Sequence, residues 1–331
     1  MSKILFIGDP HLKITKFTLA KSFLEWLNEY IEEHKDEIDF VVNLGDTFDS
    51  HSVVRSEVMG EFRAHLEHVL QFCPYIYVLG NHDMYKPDDS RYHALGAYKG
   101  IHPNLTVVDE IRDIGGITYV PYQPTINSFP KQTNSICVAH QQFIGCDYGY
   151  HRPEIGVDAD RIKCDMIISG HIHKRQMFGK VIYPGTPFAQ DIRDVDQDKG
   201  IMLFDTDTLK YNFVTTPLPQ WKSIQVDMLD NDIDMEHDIL AKTMNDTHHW
   251  LIDIKGPKSE LVAYLNSDMF LKLKEGKRVR VRPTYVEKIK KKIAIKSITV
   301  GGIVNEYVDK VYDGSLDRDM LKSRIVGIIG K

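Results

Sequence analysis

Five short polar motifs punctuate residues 9–173, and each directly follows an apolar run of the kind that forms a buried strand. They are Asp9-Pro10-His11, Gly45-Asp46-Thr47-Phe48-Asp49, Gly80-Asn81-His82-Asp83, the lone His140, and Gly170-His171-Ile172-His173. The runs before them are Ile4–Gly8, Phe40–Leu44, Ile76–Leu79, Ile136–Ala139 and Met166–Ser169. Between the early runs, Phe17, Ala20, Phe23, Leu24, Leu27 and Ile31 recur at helical spacing, as do Val54, Val58, Phe62, Leu66 and Val69. Further strands are predicted at Thr106–Asp109, Thr118–Pro121, Val181–Tyr183 and Ile201–Asp205. Helices alternating with buried strands early, then mostly strands, predict an α/β fold: a layered β-sandwich with helices on the outside. In such sheets the loops gather, and ligands bind, at the carboxyl ends of the strands. The five motifs are therefore expected in one cleft.

Bulk properties exclude several classes. No apolar run approaches the ~20 residues of a membrane span. The N-terminus enters the apolar stretch Lys3–Ile7 without a signal-peptide pattern. Cys73, Cys137, Cys146 and Cys164 lack CxxC spacing, so they read as reduced structural thiols of a cytoplasmic protein. A net charge of −6 argues against coating nucleic acid by charge alone. It does not exclude a nuclease, because an Asp-rich cluster becomes electropositive once it holds cations.

Carboxylate, imidazole and amide oxygen donors without thiolate suit two divalent ions of the manganese type, with magnesium or others as alternatives. In Asp-x-His and His-x-His, alternate residues of an extended segment point the same way, so both side chains are expected to reach one cluster. Two ions ~3.5–4 Å apart need a bridging carboxylate and can clamp a phosphoester. Each motif alone has a plainer reading: Asp-x-His as a turn, His140 as a core histidine, Asn81 and Asp83 as turn formers. Five in order, each at a strand end, form a specific pattern.

That pattern resembles the calcineurin-like metallophosphoesterases over residues 1–216. The resemblance implies one metal held by Asp9, His11 and His173, a second by Asn81, His140 and His171, and Asp46 bridging them. It implies that His82 is not a ligand but stabilises the transition state or protonates the leaving oxygen. Asp83 or Asp49 is then expected to orient His82. Phe48 in the second motif is similar to the Gly-Asp-x-Phe of SbcD and meiotic-recombination nucleases. So is the later run Tyr183-Pro184-Gly185-Thr186-Pro187 to Lys199-Gly200-Ile201. The compact length is most like the phage-encoded members. This likeness implies a nuclease of DNA repair and recombination, exonucleolytic 3′-to-5′ on duplex ends and endonucleolytic on single strands. It also implies an SbcC-type coiled-coil ATPase partner and a homodimer formed through helices such as Val53–Leu70. The setting would be the cytoplasm of a bacterial or phage-infected cell. A stand-alone phosphodiesterase or phosphatase for nucleotides or phosphoproteins is the alternative. An inactive scaffold is disfavoured, since no ligand is missing.

The closely spaced Pro217 and Pro219 mark a boundary. Residues 222–285 are expected to form a small α+β cap or DNA-binding domain, and 286–331 a basic linker with a helical partner-binding tail. Arg278, Arg280 and Arg282 alternate with valines, so a strand shows all three on one face. With the lysines of 272–296 they read either as a DNA-tracking surface or as a solvated edge strand and linker. Tyr148, Tyr150, His151 and Arg152, close after His140, read as a strand clamp or as an ordinary loop. Ile303, Val304, Tyr307, Val308, Val311 and Tyr312, then Leu321, Ile325, Ile328 and Ile329, predict two amphipathic tail helices.

Overall fold

The computed structural model describes residues 2–51, 53–86, 88–229, 243, 247–268, 270–271, 278–286, 307–309 and 317–329. Two compact units divide it, Met1–Thr284 and Tyr285–Lys331. The first opens with β1 (Lys3–Ile7), α1 (Phe17–Glu33), β2 (Phe40–Asn43), α2 (Ser56–Val69) and β3 (Tyr75–Val78). The hairpin β4 (Met84–Lys86) and β5 (Asp89–His93) leads to β6 (Leu105–Val108), β7 (Arg112–Ile114), β8 (Ile117–Val120) and β9 (Ile136–His140). Then come β10 (Met166–Gly170), β11 (Gln176–Phe178), β12 (Val181–Tyr183), β13 (Gly200–Asp205) and β14 (Tyr211–Thr215).

These strands form two six-stranded sheets, ordered β14-β13-β1-β2-β3-β6 and β11-β12-β10-β9-β8-β7. In the first, β1, β2, β3 and β6 run parallel, with β13 and β14 antiparallel at one edge. The second has a parallel centre, β12-β10-β9-β8, and antiparallel edges. Alternation explains why the early runs are continuously apolar. Ile4 and Phe6 of β1 face a core shared with Val138 and Ile168 of the other sheet. Leu5 and Ile7 face the opposite layer, packed with Phe23, Leu27, Phe62 and Leu66 of α1 and α2. Each such side chain contributes about 1.5–3 kcal/mol on burial. The outer face of the second sheet is covered by the segment after His140, through Phe143, Cys146, Val157 and Ile162. Periodicity does not announce β4, β5, β7, β11 or β14. These hairpin or edge strands carry polar residues, so burial imposes no apolar pattern on them.

Beyond Thr215 the first unit continues as β15 (Trp221–Asp227), β16 (His249–Pro257), α3 (Lys258–Leu265) and β17 (Val279–Val286). The strands form a separate sheet in the order β15-β16-β17, with β15 and β16 parallel. A core of its own includes Ile224, Val226, Ile252, Ile254, Leu261 and Phe270. In the second unit, α4 (Arg318–Ile329) carries Lys322, which pairs with Asp309. The lysines of 287–296 and the tail positions Ile303, Val304, Val311 and Tyr312 lie outside the described residues. No helix among the described residues is long and apolar enough to cross a membrane.

Candidate metal centre

Parallel register brings the five motifs to one end of the sandwich. Three come from the ends of β1, β2 and β3, and two from β9 and β10. All the expected ligands converge there. His11 Nε2 faces His173 Nε2 at 2.9 Å. Asn81 Oδ1 lies 3.1 Å from His140 Nε2 and 2.8 Å from His171 Nδ1. Asp46 Oδ2 is 3.7 Å from His11 Nε2 and 3.4 Å from His140 Nε2. Donor atoms of His11, Asp46 and His82 lie within 4.8 Å of one another, and so do those of Asp46, His140 and His171. Asp46 belongs to both groups, the place of a bridge.

The backbone that achieves this differs from the extended segment expected. Asp9, His11, Asp46 and His171 all have positive φ, at 29°, 44°, 48° and 86°. Alternation along a strand therefore does not aim Asp9 with His11, or His171 with His173; tight left-handed turns do. Such turns are strained for non-glycine residues and persist where surroundings over-determine them. Gly80 shows how tight the packing is. A Cβ there would sit 2.3 Å from both the main-chain nitrogen and the Oδ1 of Asp46.

The donor set fits cations. Two imidazole lone pairs cannot face each other at 2.9 Å without a proton or an ion between them. Burial, joined by neighbouring histidines, holds His11 well below its ordinary pKa. Burial likewise lowers His173 to about 4, so near neutral pH both rings are neutral and can each offer a lone pair to a cation. Asp9 Oδ1 accepts from the His171 amide at 2.7 Å, while its buried Oδ2 has no partner among the described residues. Burial, opposed by His140 and reinforced by Asp46, raises Asp9 to about 7. Bound cations would relieve each of these features. His140 Nδ1 donates to the Leu44 carbonyl at 2.7 Å, which leaves Nε2 as the ligating atom.

Two buried carboxylates hold the loops. Asp83 accepts from the amides of Asp46 at 2.8 Å, Gly80 at 3.0 Å and Thr47 at 3.1 Å. It ties the second motif to the third and does not bond His82. Instead His82 Nδ1 donates to the main-chain carbonyl of Asp49 at 2.9 Å. The Asp49 carboxylate is engaged by Lys13 at 2.8 Å. The expected orienting role thus falls to the Asp49 backbone, because that carbonyl is what faces the ring. His51 also stacks on His82, with centroids 4.3 Å apart.

The second carboxylate is Asp194, paired with buried Lys199 at 2.6 Å. Lys199 also donates to the carbonyl of His173 at 2.9 Å. Asp194 accepts from the Gln190 amide at 2.6 Å, and the Gln190 side chain donates to the carbonyl of Pro10 at 2.9 Å. One network therefore braces both loops that carry Asp9, His11 and His173. Sequence reading passed over Asp194 and Gln190. The one available signal was a lysine heading the apolar strand Gly200–Asp205.

The expected DNA contacts separate. Tyr148 and Tyr150 line the roughly 280 Å³ cavity over the centre, with His11, His82 and His173; Arg152 is exposed and does not. Arg282 is forked onto Asp253 at 2.6 and 2.5 Å. Arg280 lines a different cavity, and Arg278 is exposed.

Imidazoles, carboxylates and an amide oxygen gathered at the strand ends of a two-sheet sandwich define a metallophosphoesterase centre. The chain belongs to the calcineurin-like phosphoesterase family, whose model matches residues 2–175. Members of this family use divalent metal ions. The chain is similar to a protein named as a phosphoesterase, 244L of Invertebrate iridescent virus 6, at 30% identity over 218 residues, 61% of this chain and 75% of the relative. A second such protein, 078R of Invertebrate iridescent virus 3, is 27% identical over 55% of this chain and 56% of its own length. Exonuclease subunit 1 of Enterobacteria phage T4 is 26% identical over 228 residues, 64% of this chain and 67% of that protein.

Proposed function

We propose that this protein is a manganese-dependent DNA nuclease, the nuclease subunit of a complex with an SbcC-type coiled-coil ATPase that acts in DNA repair and recombination. The reading includes 3′-to-5′ exonuclease action on duplex ends, endonuclease action on single strands, and a homodimer. Asp9, His11 and His173 would hold one ion, Asn81, His140 and His171 the other, and Asp46 both. The carrying observation is the shared position of Asp46 between two donor groups, beside a histidine whose Nδ1 is already engaged. Similarity to a phage protein named as an exonuclease subunit supports DNA as substrate and a second subunit as partner. The run from Tyr183 to Lys199-Gly200 supports the same branch.

Two divalent ions in this cluster supply charge neutralisation at the phosphodiester and acidify an attacking water. The chain's own residues do the rest. Because a carbonyl only accepts, His82 carries its proton on Nδ1 toward Asp49, and Nε2 is the atom presented to the substrate. The main-chain N–H of His82 donates to Asp46 Oδ1 at 2.7 Å, which fixes the ring's origin relative to the bridge. Protonated on Nε2, His82 can deliver a proton to the departing oxygen. Tyr148 and Tyr150 wall the cavity and limit water.

The test is cleavage of linear duplex DNA with manganese, with and without an SbcC-like ATPase. Expected are nucleotide release abolished by chelation and a loss of about 10²–10⁴-fold in His82→Ala. Hydrolysis of an aryl phosphodiester with no DNA cleavage in either condition would instead favour a stand-alone phosphodiesterase, in keeping with the two iridescent-virus relatives named only as phosphoesterases.

A further inference from the structure

A second cavity, of about 590 Å³, opens beside the metal centre. Its walls come from three places: residues 14–19 after β1, the loop 189–192, and Trp221, His249 and Arg280, one from each strand of the three-stranded sheet. Asp191 lines both this cavity and the one over the metal centre, so the two are neighbours. Within the floor, Trp221 stacks on His249 with centroids 5.0 Å apart and planes 24° from parallel. The platform is tied to the active-site side of the molecule. The Asp196 amide donates to the Trp221 carbonyl at 2.9 Å, and the Ser223 amide donates to the Asp196 carboxylate at 2.9 Å.

The charge here is positive. Lys16 and Arg280 line the cavity, and Asp191, the one lining carboxylate among the described residues, is engaged by the Arg193 guanidinium at 3.0 and 2.6 Å. The buried Nδ1 of His249 has no hydrogen-bond partner among the described residues. Burial, then the charges of Lys16, Arg278 and His248, depress the protonation of that ring. A flat aromatic pair flanked by cations, with no free acid, matches the bases and phosphates of a nucleic acid strand. The volume is within the range that holds a small organic group such as one nucleotide.

We propose that this cavity is a subsite for a nucleotide of the DNA strand continuing away from the metal centre. Its base stacks on the Trp221–His249 pair and its phosphate lies against Arg280 and Lys16. The assignment rests on the nuclease reading above. It also sorts the two arginines of β17: Arg280 serves the strand, whereas Arg282 is already committed to Asp253.

Binding of a fluorescein-labelled oligothymidylate to the full-length protein, followed by anisotropy with calcium replacing manganese, tests it. Trp221→Ala should weaken binding by about 5-fold to 150-fold, the usual effect of removing one stacking partner. Trp221→Phe should recover most of that loss. Arg280→Ala should lower the slope of log affinity against log salt by about 0.7, the signature of one lost phosphate contact on a single strand. Arg280 is exposed, so this variant should fold even if Trp221→Ala does not. Affinities within about twofold of wild type in Trp221→Phe, Trp221→Ala and Arg280→Ala, at unchanged salt slope, would refute the subsite alone. A wild-type protein that binds no oligonucleotide would remove the nuclease reading and the subsite together.

Discussion

The two sheets serve the metal centre in different ways. The first supplies all of its oxygen donors, Asp9, Asp46 and Asn81, together with His11. The second supplies only imidazoles, His140, His171 and His173. Two buried carboxylates hold the ligand loops in place, and the two are stabilised differently. Asp83 is met by main-chain amides, whereas Asp194 is neutralised by Lys199. Burial and the nearby Asp46 accordingly raise Asp83 to about 7. The contrast shows two solutions to one problem: fixing short, strained ligand loops without mobile side chains near the ions.

Removing Asp83 should give the largest effect. Asp83→Ala strands the amides of Asp46, Thr47 and Gly80 in a buried site. At about 1–3 kcal/mol per orphaned group, a loss of roughly 3–9 kcal/mol is expected in urea unfolding. Next comes Lys199→Met, which leaves Asp194 as a buried, unpaired charge and should cost about 3–5 kcal/mol. If the networks are as separate as the hydrogen bonds indicate, titration calorimetry should show Lys199→Met weakening one manganese site far more than the other. Equal weakening of both would break the comparison.

A smaller effect, about 1–3 kcal/mol of strain, is expected for Gly80→Ala, whose Cβ must displace Asp46. If Asp46 bridges two ions as proposed, both metal sites should weaken together in that variant. The smallest prediction concerns the helical layer behind the first sheet and serves as a control. Burial lowers His65 of α2 to about 3. A histidine whose folded pKa lies below its ordinary 6.5 contributes stability above that value and loses it as pH falls toward 3. Thermal stability should decline across that window by at most about 1.4 kcal/mol per pH unit from this group, and His65→Phe should flatten the decline. An unchanged slope would place the acid sensitivity in the metal loops.

Much of the fold was legible because burial on both faces writes itself into β1, β2, β3, β9 and β10 as unbroken apolar runs, and one-sided burial into α1 and α2 as a stripe. The convergence of the candidate ligands was legible because each follows such a run directly. What remained hidden has physical reasons. Strands such as β5 and β7 are polar and marginal to the core, so nothing in their spacing marks them. Gln190 acts across a long sequence separation, on Pro10, and an acid such as Asp194 or an amide in a loop carries no sign of what it will face. The positive φ angles at Asp9, His11, Asp46 and His171 were likewise unreadable, because strained turns are imposed by surroundings rather than by the residues that adopt them.

From its sequence alone this protein was determined to be a metallophosphoesterase-type sandwich with a proposed ligand set, because residue type and order at strand ends depend only on local pattern. Tertiary structure decided what each residue does beside its neighbours. It gave the orienting contact on His82 to the backbone of Asp49. It made Asp83 and Asp194 the two organisers, and of the two β17 arginines it turned Arg280 toward a cavity beside the centre. Those outcomes depend on which groups meet across tens to hundreds of residues, and such contacts exist only once the sheets have packed.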